Sequence, residues 1–444
     1  MKSNALLTQC SASASFPFSA DFLPLAIEFT EKASRGFAFG EREIGGIVLA
    51  VEEIFAFYLN QLKGLAGIDL RLENESYQLL LTLTFRMANP ELRAFNLTYR
   101  IDPDNEASMT GLGLMIAARS VTRLSFDFGN GEQFSLRLAR ERTYAPVTPI
   151  ALPGLHTNAA LRLYEPTGED IRYFGSLLAS CAPAFVPSFL QRPDMAVDML
   201  ACGAIGALLA NSGETIGGGV FWRRLSKSTI ELFGPYVLYA DPDDNILTRL
   251  IDEAMGRISR SGARTLLRRQ GPLAGFERFF DRLGELTLTA PSPTASDGND
   301  LTWTHYYKQL REESGGTVYS EAPFSGFLRS EYERLCLPRQ IRETSFQGEG
   351  RRRARSAASV LSVDFEHRRS LATLRLLVMG CDLADNLAAH LALLQYENIA
   401  NVIVEIDTGH NDDMAFAPIL YAAGFLPLLL VPDAGAGDLV LFAR

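Results

Sequence analysis

The first candidate for chemistry in this chain is a carboxylate on a helix. In REIGGIVLAVEEIFAFYLNQLKGL, residues Ile44, Ile47, Val48, Val51, Phe55, Tyr58, Leu59 and Leu62 recur at steps of three and four, which predicts a helix with one buried stripe. Glu53 lies off that stripe. It shares a second face with Leu49, Phe57 and Asn60, because side chains three and four apart stack above one another. That face is able to line a pocket holding one carboxylate. Downstream, Gly111 and Gly113 in GLGL open the helical stretch MIAARSVTRL. Glycines at such a place let the backbone approach a ligand closely, and a helix N-terminus favours an anion.

Other chemistry-bearing residues are scattered. His156, His305, His367, His390 and His410 occur singly, without HxH or HExxH spacing, so they do not mark a metal centre. The stretch DTGHNDDM, from Asp407, has the donors for a cation, although a polar loop with a helix cap accounts for it more simply. Asp241, Asp243 and Asp244 form one acidic turn, and Asp382 and Asp385 another; helix N-caps are the expected role for these aspartates. The cysteines, Cys10, Cys181, Cys202, Cys336 and Cys381, are odd in number and never paired as CxxC. They predict neither a disulfide framework nor a zinc site and fit a reducing cytoplasm.

Three segments must position these residues, because 444 residues exceed what one hydrophobic core usually organises. Over 15–142 the pattern predicts two helices, strands such as YQLLLTLTF with alternating apolar residues, a further helix, and a hairpin with Gly129, Asn130 and Gly131 at its tip. Residues 1–14 read as a frayed start. TYAPVTPIALPGLHTNA, with three prolines, reads as a linker before a second segment, 159–288. TAPSPTASDGND is the expected break before a third, 301–444. The last two segments share a layout: a paired-strand block, TIGGGVFWRRLSKSTIELFGPYVLY or SVLSVDFEHRRSLATLRLLVMGCD, precedes a helix and a strand in each. This predicts a degenerate duplication.

The run LAVEE after a preceding helix, the strand YQLLLTLTF and the closing MTGLGLMIAARSVTRLSFDFGNGEQFSLRLAR together resemble the GHKL ATP-binding fold, in the form used by anti-sigma-factor serine kinases. The resemblance covers about 15–142. It implies that Glu53 activates the group attacking the γ-phosphate, and that Gly111 and Gly113 lie at the nucleotide phosphates, with ATP or ADP as ligand. Two positions depart from the pattern. Phe57 stands where the family's Asn ligates Mg²⁺, and an aromatic ring offers a hard cation no oxygen, so no metal site is expected. Met87 and Asn89 stand near where an Asp-x-Gly reads adenine. Two outcomes stay open: weak nucleotide binding, or a domain that keeps the fold and has lost the ligand.

The later segments resemble the GNAT acyltransferase fold, through LRLYEPTGEDIRYFGSLLAS, the repeated strand and helix order, and the ending AAGF followed by a strand and DLVLF. That fold implies acetyl-coenzyme A held by a basic residue and glycines at a helix N-terminus. Here Asp241, Asp243 and Asp244 occupy the first such turn, and Gly380 with Asp382 and Asp385 the second. Carboxylates repel a polyanion, so acetyl-CoA is not expected to bind.

The expected architecture is therefore α+β, a GHKL-type α/β sandwich followed by two GNAT-like α/β lobes. A net charge of −10 opposes nucleic-acid binding, and the one basic run, Arg351–Arg355, reads as a solvated loop. No apolar run approaches the roughly 20 residues that span a bilayer. The expected function is that of a cytoplasmic regulatory protein that binds rather than turns over. By the family resemblance its partner is a sigma factor or an anti-sigma antagonist, and a small ligand between the lobes is a further expectation. The alternative is an active serine/threonine kinase using Glu53, or an N-acyltransferase.

Overall fold

Alternating apolar residues become the spine of the first sheet. In the computed structural model, β1 (Ser11–Pro17), β2 (Gly67–Asn74), β3 (Gln78–Arg86), β4 (Arg123–Phe128) and β5 (Gln133–Glu141) form an antiparallel sheet in the order β1-β2-β3-β5-β4. The structure describes all residues except 1–9, 62–66, 88–89, 102–103, 105–108, 129–132, 155–159, 182–185, 240–244, 272, 274, 290–299, 314 and 344–357, and at 60 and 368 it describes the backbone only. The expected hairpin tip at Gly129–Gly131 and the basic run Arg351–Arg355 fall outside the described residues, as does His156.

Every second residue of β2 faces the core, with Ile68, Leu70 and Leu72 wholly buried, as a sheet with one covered face requires. The cover is α1 (Leu23–Gly36), α2 (Glu41–Gln61) and α3 (Leu112–Ser120), with α2 packed against both of the others. The frayed start expected at the N-terminus is corrected from Ser11 onward. Residues 11–17 form an edge strand in register with β2, from Ser11 opposite Glu73 to Pro17 opposite Gly67. Its alternation is carried by small residues, SASASFP, which give a weak apolar signal; only pairing with β2 defines the strand.

The chain divides into two compact units. The first contains the sheet above and also residues 358–361 and Leu377–Asn386; the second contains 145 to 343, Ser362–Leu376 and Leu387–Arg444. In the second unit, β6 (Leu161–Tyr164), β7 (Ile205–Ser212), β8 (Thr215–Arg224), β9 (Thr229–Val237), β10 (Thr265–Gln270), β11 (Asp281–Leu288) and β12 (Leu301–Gln309) make one sheet, in the order β11-β12-β10-β9-β8-β7-β6. Helices α4 (Gly168–Cys181) and α5 (Pro193–Ala201) lie between β6 and β7, and α6 (Asn245–Ile258) joins the parallel pair β9 and β10. Strand β12, which the sequence pattern assigns to the third segment, pairs here with β10 and β11. The Ser/Thr/Pro-rich stretch thus connects two strands of one sheet. Local composition signals a loop equally well inside a sheet and between domains.

After the parallel pair β13 (Gly316–Ser320) and β14 (Arg339–Glu343), joined by α7 (Ala322–Arg334), a second sheet contains β15 (Val360–Glu366), β16 (Leu371–Val378), β17 (Asn401–Asp407), β18 (Leu426–Val431) and β19 (Leu439–Ala443). Its order is β15-β16-β17-β19-β18, with α8 (Leu383–Tyr396) joining the parallel pair β16 and β17, and α9 (Phe416–Ala422) after β17. The series β8-β9-β10-β12-β11 and β15-β16-β17-β19-β18 are the same arrangement twice, the layout that the expected duplication requires.

Buried charges hold the second unit together. Glu231 on β9 lies between Arg223 at 2.9 Å and Arg269 at 2.8 Å. At the β18–β19 turn, Asp433 accepts from Arg264 at 3.0 Å and Thr265 at 2.9 Å, its carbonyl accepts the hydroxyls of Ser226 and Thr229, and Asp438 pairs with Arg339 at 2.8 Å. Burial raises the Glu231 pKa, but Arg269 and Arg223 outweigh it and bring the carboxyl down to about 2. A depressed carboxylate contributes stability above its unfolded pKa and loses it as pH falls through the folded value. Wild-type stability should therefore fall between about pH 4.5 and pH 2, by roughly 3 kcal/mol more than in Glu231→Gln, at about 1.4 kcal/mol for each pH unit between the two pKa values. Urea unfolding of both proteins across that range measures the difference.

Candidate functional site

Helix α2 is the middle of three helices, and this decides what its second face does. Leu49 is exposed and Glu53 half-buried, but Phe57 is only 7% exposed, its ring edge-on to Tyr58 at 5.0 Å. The pocket face expected from helical spacing is thus divided. Phe57 is a core residue, and an asparagine there would bury an amide among aromatic rings. The side chain of Asn60 lies outside the described residues, as does Asn89; Met87 packs at the edge of the hydrophobic core.

The structure brings Gly113 against Glu53 and Gly111 against Tyr99. A Cβ on residue 113 would sit 2.5 Å from Oε2 of Glu53, and one on residue 111 would collide with the Tyr99 hydroxyl. Both glycines thus have a steric reason internal to the protein. Gly111 is the N-cap of α3, has helical φ and ψ, and follows two residues, 109–110, that are already helical. The carboxylate of Glu53 stands beside Gly113. Tyr99, for which the sequence pattern gives no signal, is hydrogen-bonded to the backbone of Gly111. Only the folded loop carries its hydroxyl to that glycine.

In the second unit, ligand-binding crevices of open α/β sheets are expected beyond the carboxyl ends of parallel strands. The paired register of β9 and β10 ends at Leu232 opposite Arg268. The next backbone groups are bonded by side chains: Gln270 Oε1 accepts the Gly234 N–H at 2.7 Å, and Arg268 Nε donates to the Gly234 carbonyl at 2.7 Å. Gln270 also donates to the Tyr236 hydroxyl at 2.7 Å. Arg268 is buried, its guanidinium 4.8 Å from the Phe276 ring centre, and desolvation brings it down to about 10. Groups that an extended ligand would use are thereby occupied. The acidic turn Asp241, Asp243 and Asp244 lies outside the described residues.

At the start of α8, a Cβ on residue 380 would overlap the backbone of Ala358 and Ser359, and Asp382 Oδ1 accepts the Ser359 N–H at 2.6 Å. Asp382, expected as a helix N-cap, thus holds a neighbouring segment. Asp407 accepts the N–H groups of Gly409, Ala436 and Gly437 at 2.9, 2.7 and 2.9 Å, which makes DTGHNDDM a loop anchor. Nearby, burial raises Asp413 to about 7 against the opposing effect of His410. Burial and then Arg269 lower His305 to about 3, so it is neutral. Among the described residues, no group of three or more His, Cys, Asp or Glu is placed to hold a metal ion.

No family model matches the chain, and no curated protein matches its sequence. Solved structures do match in part. An aminoglycoside 6'-acetyltransferase type Ii is 15% identical over 34% of this chain and 99% of its own, with a TM-score of 0.27. An N-acetyltransferase from Staphylococcus aureus Mu50 is 14% identical over 34% of this chain and 100% of its own, with a TM-score of 0.29. A GNAT family acetyltransferase from Brucella melitensis, in complex with acetyl-CoA, is 19% identical over 28% of this chain and 84% of its own, with a TM-score of 0.24. The comparisons give the resemblance of 15–142 to GHKL kinases no support. Among the described residues, no helix is long and apolar enough to cross a membrane. What the chain is similar to, over about a third of its length, is a set of acetyltransferase structures.

Proposed function

We propose that this chain is a binding and regulatory protein in which a GNAT-like strand arrangement has been kept without acyl transfer. The observation that carries the reading is the bonding of Gly234 by Gln270 and Arg268 at the end of the parallel pair. An acyl carrier laid along β9 would have to displace a buried guanidinium from its carbonyl, and stranding a buried polar group costs about 1–3 kcal/mol. A sigma factor or anti-sigma antagonist as partner follows from the family resemblance alone, and a small ligand between the lobes is a further expectation. The second reading is an N-acyltransferase, favoured by the strand arrangement that occurs twice, each time with a helix joining its parallel pair.

For the first unit, the family resemblance, together with the placing of Gly113 against Glu53, supports weak binding of ADP or ATP through Gly111 and Gly113. With Phe57 in the core, Mg²⁺ has no ligand at that position and should change the affinity little. The kinase alternative would use the same Glu53.

Calorimetric titration of acetyl-CoA into the whole chain separates the two readings. No saturable binding is expected up to about 1 mM; a micromolar dissociation constant, about −8 kcal/mol, would overturn the regulatory reading in favour of the acyltransferase. Labelled ADP titrated with and without Mg²⁺ addresses the first unit. Glu53→Ala should retain ADP binding, because it removes a negative charge near the phosphates, whereas Gly113→Val should abolish it and also lower the melting temperature through collision with Glu53. Absence of saturable ADP binding to the wild type would end the nucleotide reading, and a large gain with Mg²⁺ would refute the assignment of Phe57.

A further inference from the structure

Asn96 lies in the connection between β3 and α3, directly after a short turn of helix, Arg93–Phe95, whose Ala94 and Phe95 are buried. It is itself only 7% exposed. Its amide makes four hydrogen bonds. Nδ2 donates to the carbonyls of Ser359 at 2.8 Å and Arg93 at 3.2 Å, while Oδ1 accepts the N–H of Leu361 at 3.0 Å and Nδ2 of Asn386 at 3.1 Å. A side-chain amide has two donors and two acceptor lone pairs, so every position is used.

The pairing with residues 359 and 361 has a particular form. One carbonyl and one N–H, two residues apart on the same side of a strand, are met by one acceptor and one donor, the pattern a neighbouring strand would supply. Asn96 therefore stands in for a missing strand at the start of β15. Asn386, in the first turn of α8, closes the set by donating to Ser359 Oγ at 2.9 Å. Thr98 Oγ1 reaches Asn386 Oδ1 at 3.5 Å, the limit for such a bond. All of these residues belong to the first unit.

Three residues beyond Asn96 comes Tyr99, whose backbone N–H donates to the Asn96 carbonyl at 3.1 Å and whose hydroxyl meets Gly111. The same short stretch thus touches the start of α3 at one end and the start of β15 and α8 at the other. Any group that enters at Gly111 has to move Tyr99.

We propose that Asn96 is a positioning residue that couples the entrance of α3 to the start of β15 and the first turn of α8, so that displacing Tyr99 from Gly111 loosens the bonds at Ser359 and Leu361. The coupling concerns the loop itself and does not depend on the ligand at α3 being a nucleotide. A buried amide with all four positions filled cannot shift by an ångström without breaking several bonds at once. Displacement of the amide therefore breaks these bonds together rather than one by one.

Hydrogen exchange on the full-length protein tests this without any ligand, because Gly111→Ala places a Cβ against the Tyr99 hydroxyl. The expected result is that exchange of the Leu361 amide, which Asn96 accepts, becomes about tenfold faster or more, while the sheet amides of Leu70 and Leu81 keep their protection. Asn96→Ala should speed the Leu361 amide by itself, and adding Gly111→Ala to it should speed that amide no further. Unchanged exchange at Leu361 in Gly111→Ala overturns the proposal. So does an equal acceleration of Leu361, Leu70 and Leu81, which would report general destabilisation, and so does full additivity in the double variant. An ADP titration that fails leaves this experiment unaffected, so the two ideas fall separately.

Discussion

A strand that stops pairing leaves N–H and C=O groups that must find partners if they are buried, and much of this protein is organised by that requirement. At the end of the β9–β10 pair, Gln270 and Arg268 take the two groups of Gly234. At the start of β15, Asn96 takes those of Ser359 and Leu361. In the turns near the C-terminus, Asp407 gathers three N–H groups, and the backbone carbonyl of Asp433 receives two hydroxyls. In each case a side chain of the protein supplies what a strand, a water or a ligand would otherwise supply. These bonds are also specific in geometry, since an amide or carboxylate meets its partners only within a narrow range of distance and angle.

Charge is handled in the same way in the second unit. Glu231 has two guanidiniums, Arg375 joins Glu405 and Asp364, and Arg339 joins Asp438 and Glu313. Removing one member of a buried group such as Arg339 with Asp438 strands the other, which costs about 3–5 kcal/mol, whereas an apolar seal of the same volume is often no less stable than the intact pair. The arrangement thus contributes more to a unique register between elements than to net stability.

Much of the architecture is legible along the chain. The apolar stripe of α2 and the alternation in β3 are periodic over enough residues to define their elements. The repeated layout of paired strands, helix and strand is readable because each element keeps its own period. The grouping of Glu53 with Gly111 and Gly113, residues about 60 apart, came from a family pattern; in the fold Gly113 lies against Glu53, and Gly111 against Tyr99. The edge strand 11–17 was not legible, because small residues carry little apolar signal. Nor was the membership of β12, since a loop rich in serine and proline looks the same inside a sheet as between domains.

By itself the sequence determined which segments are helices and strands and which faces are apolar; these are local properties, set by residue type and spacing. Tertiary structure alone decided the fate of individual polar groups. Phe57 belongs to the core because α1 and α3 enclose α2, and Asp382 serves Ser359 because residues 358–361 return to it after a long excursion of the chain. Asn96 finds Leu361 across a separation of 265 residues. Such bonds depend on which distant backbone arrives unsatisfied, a matter of topology that no local pattern of residues encodes.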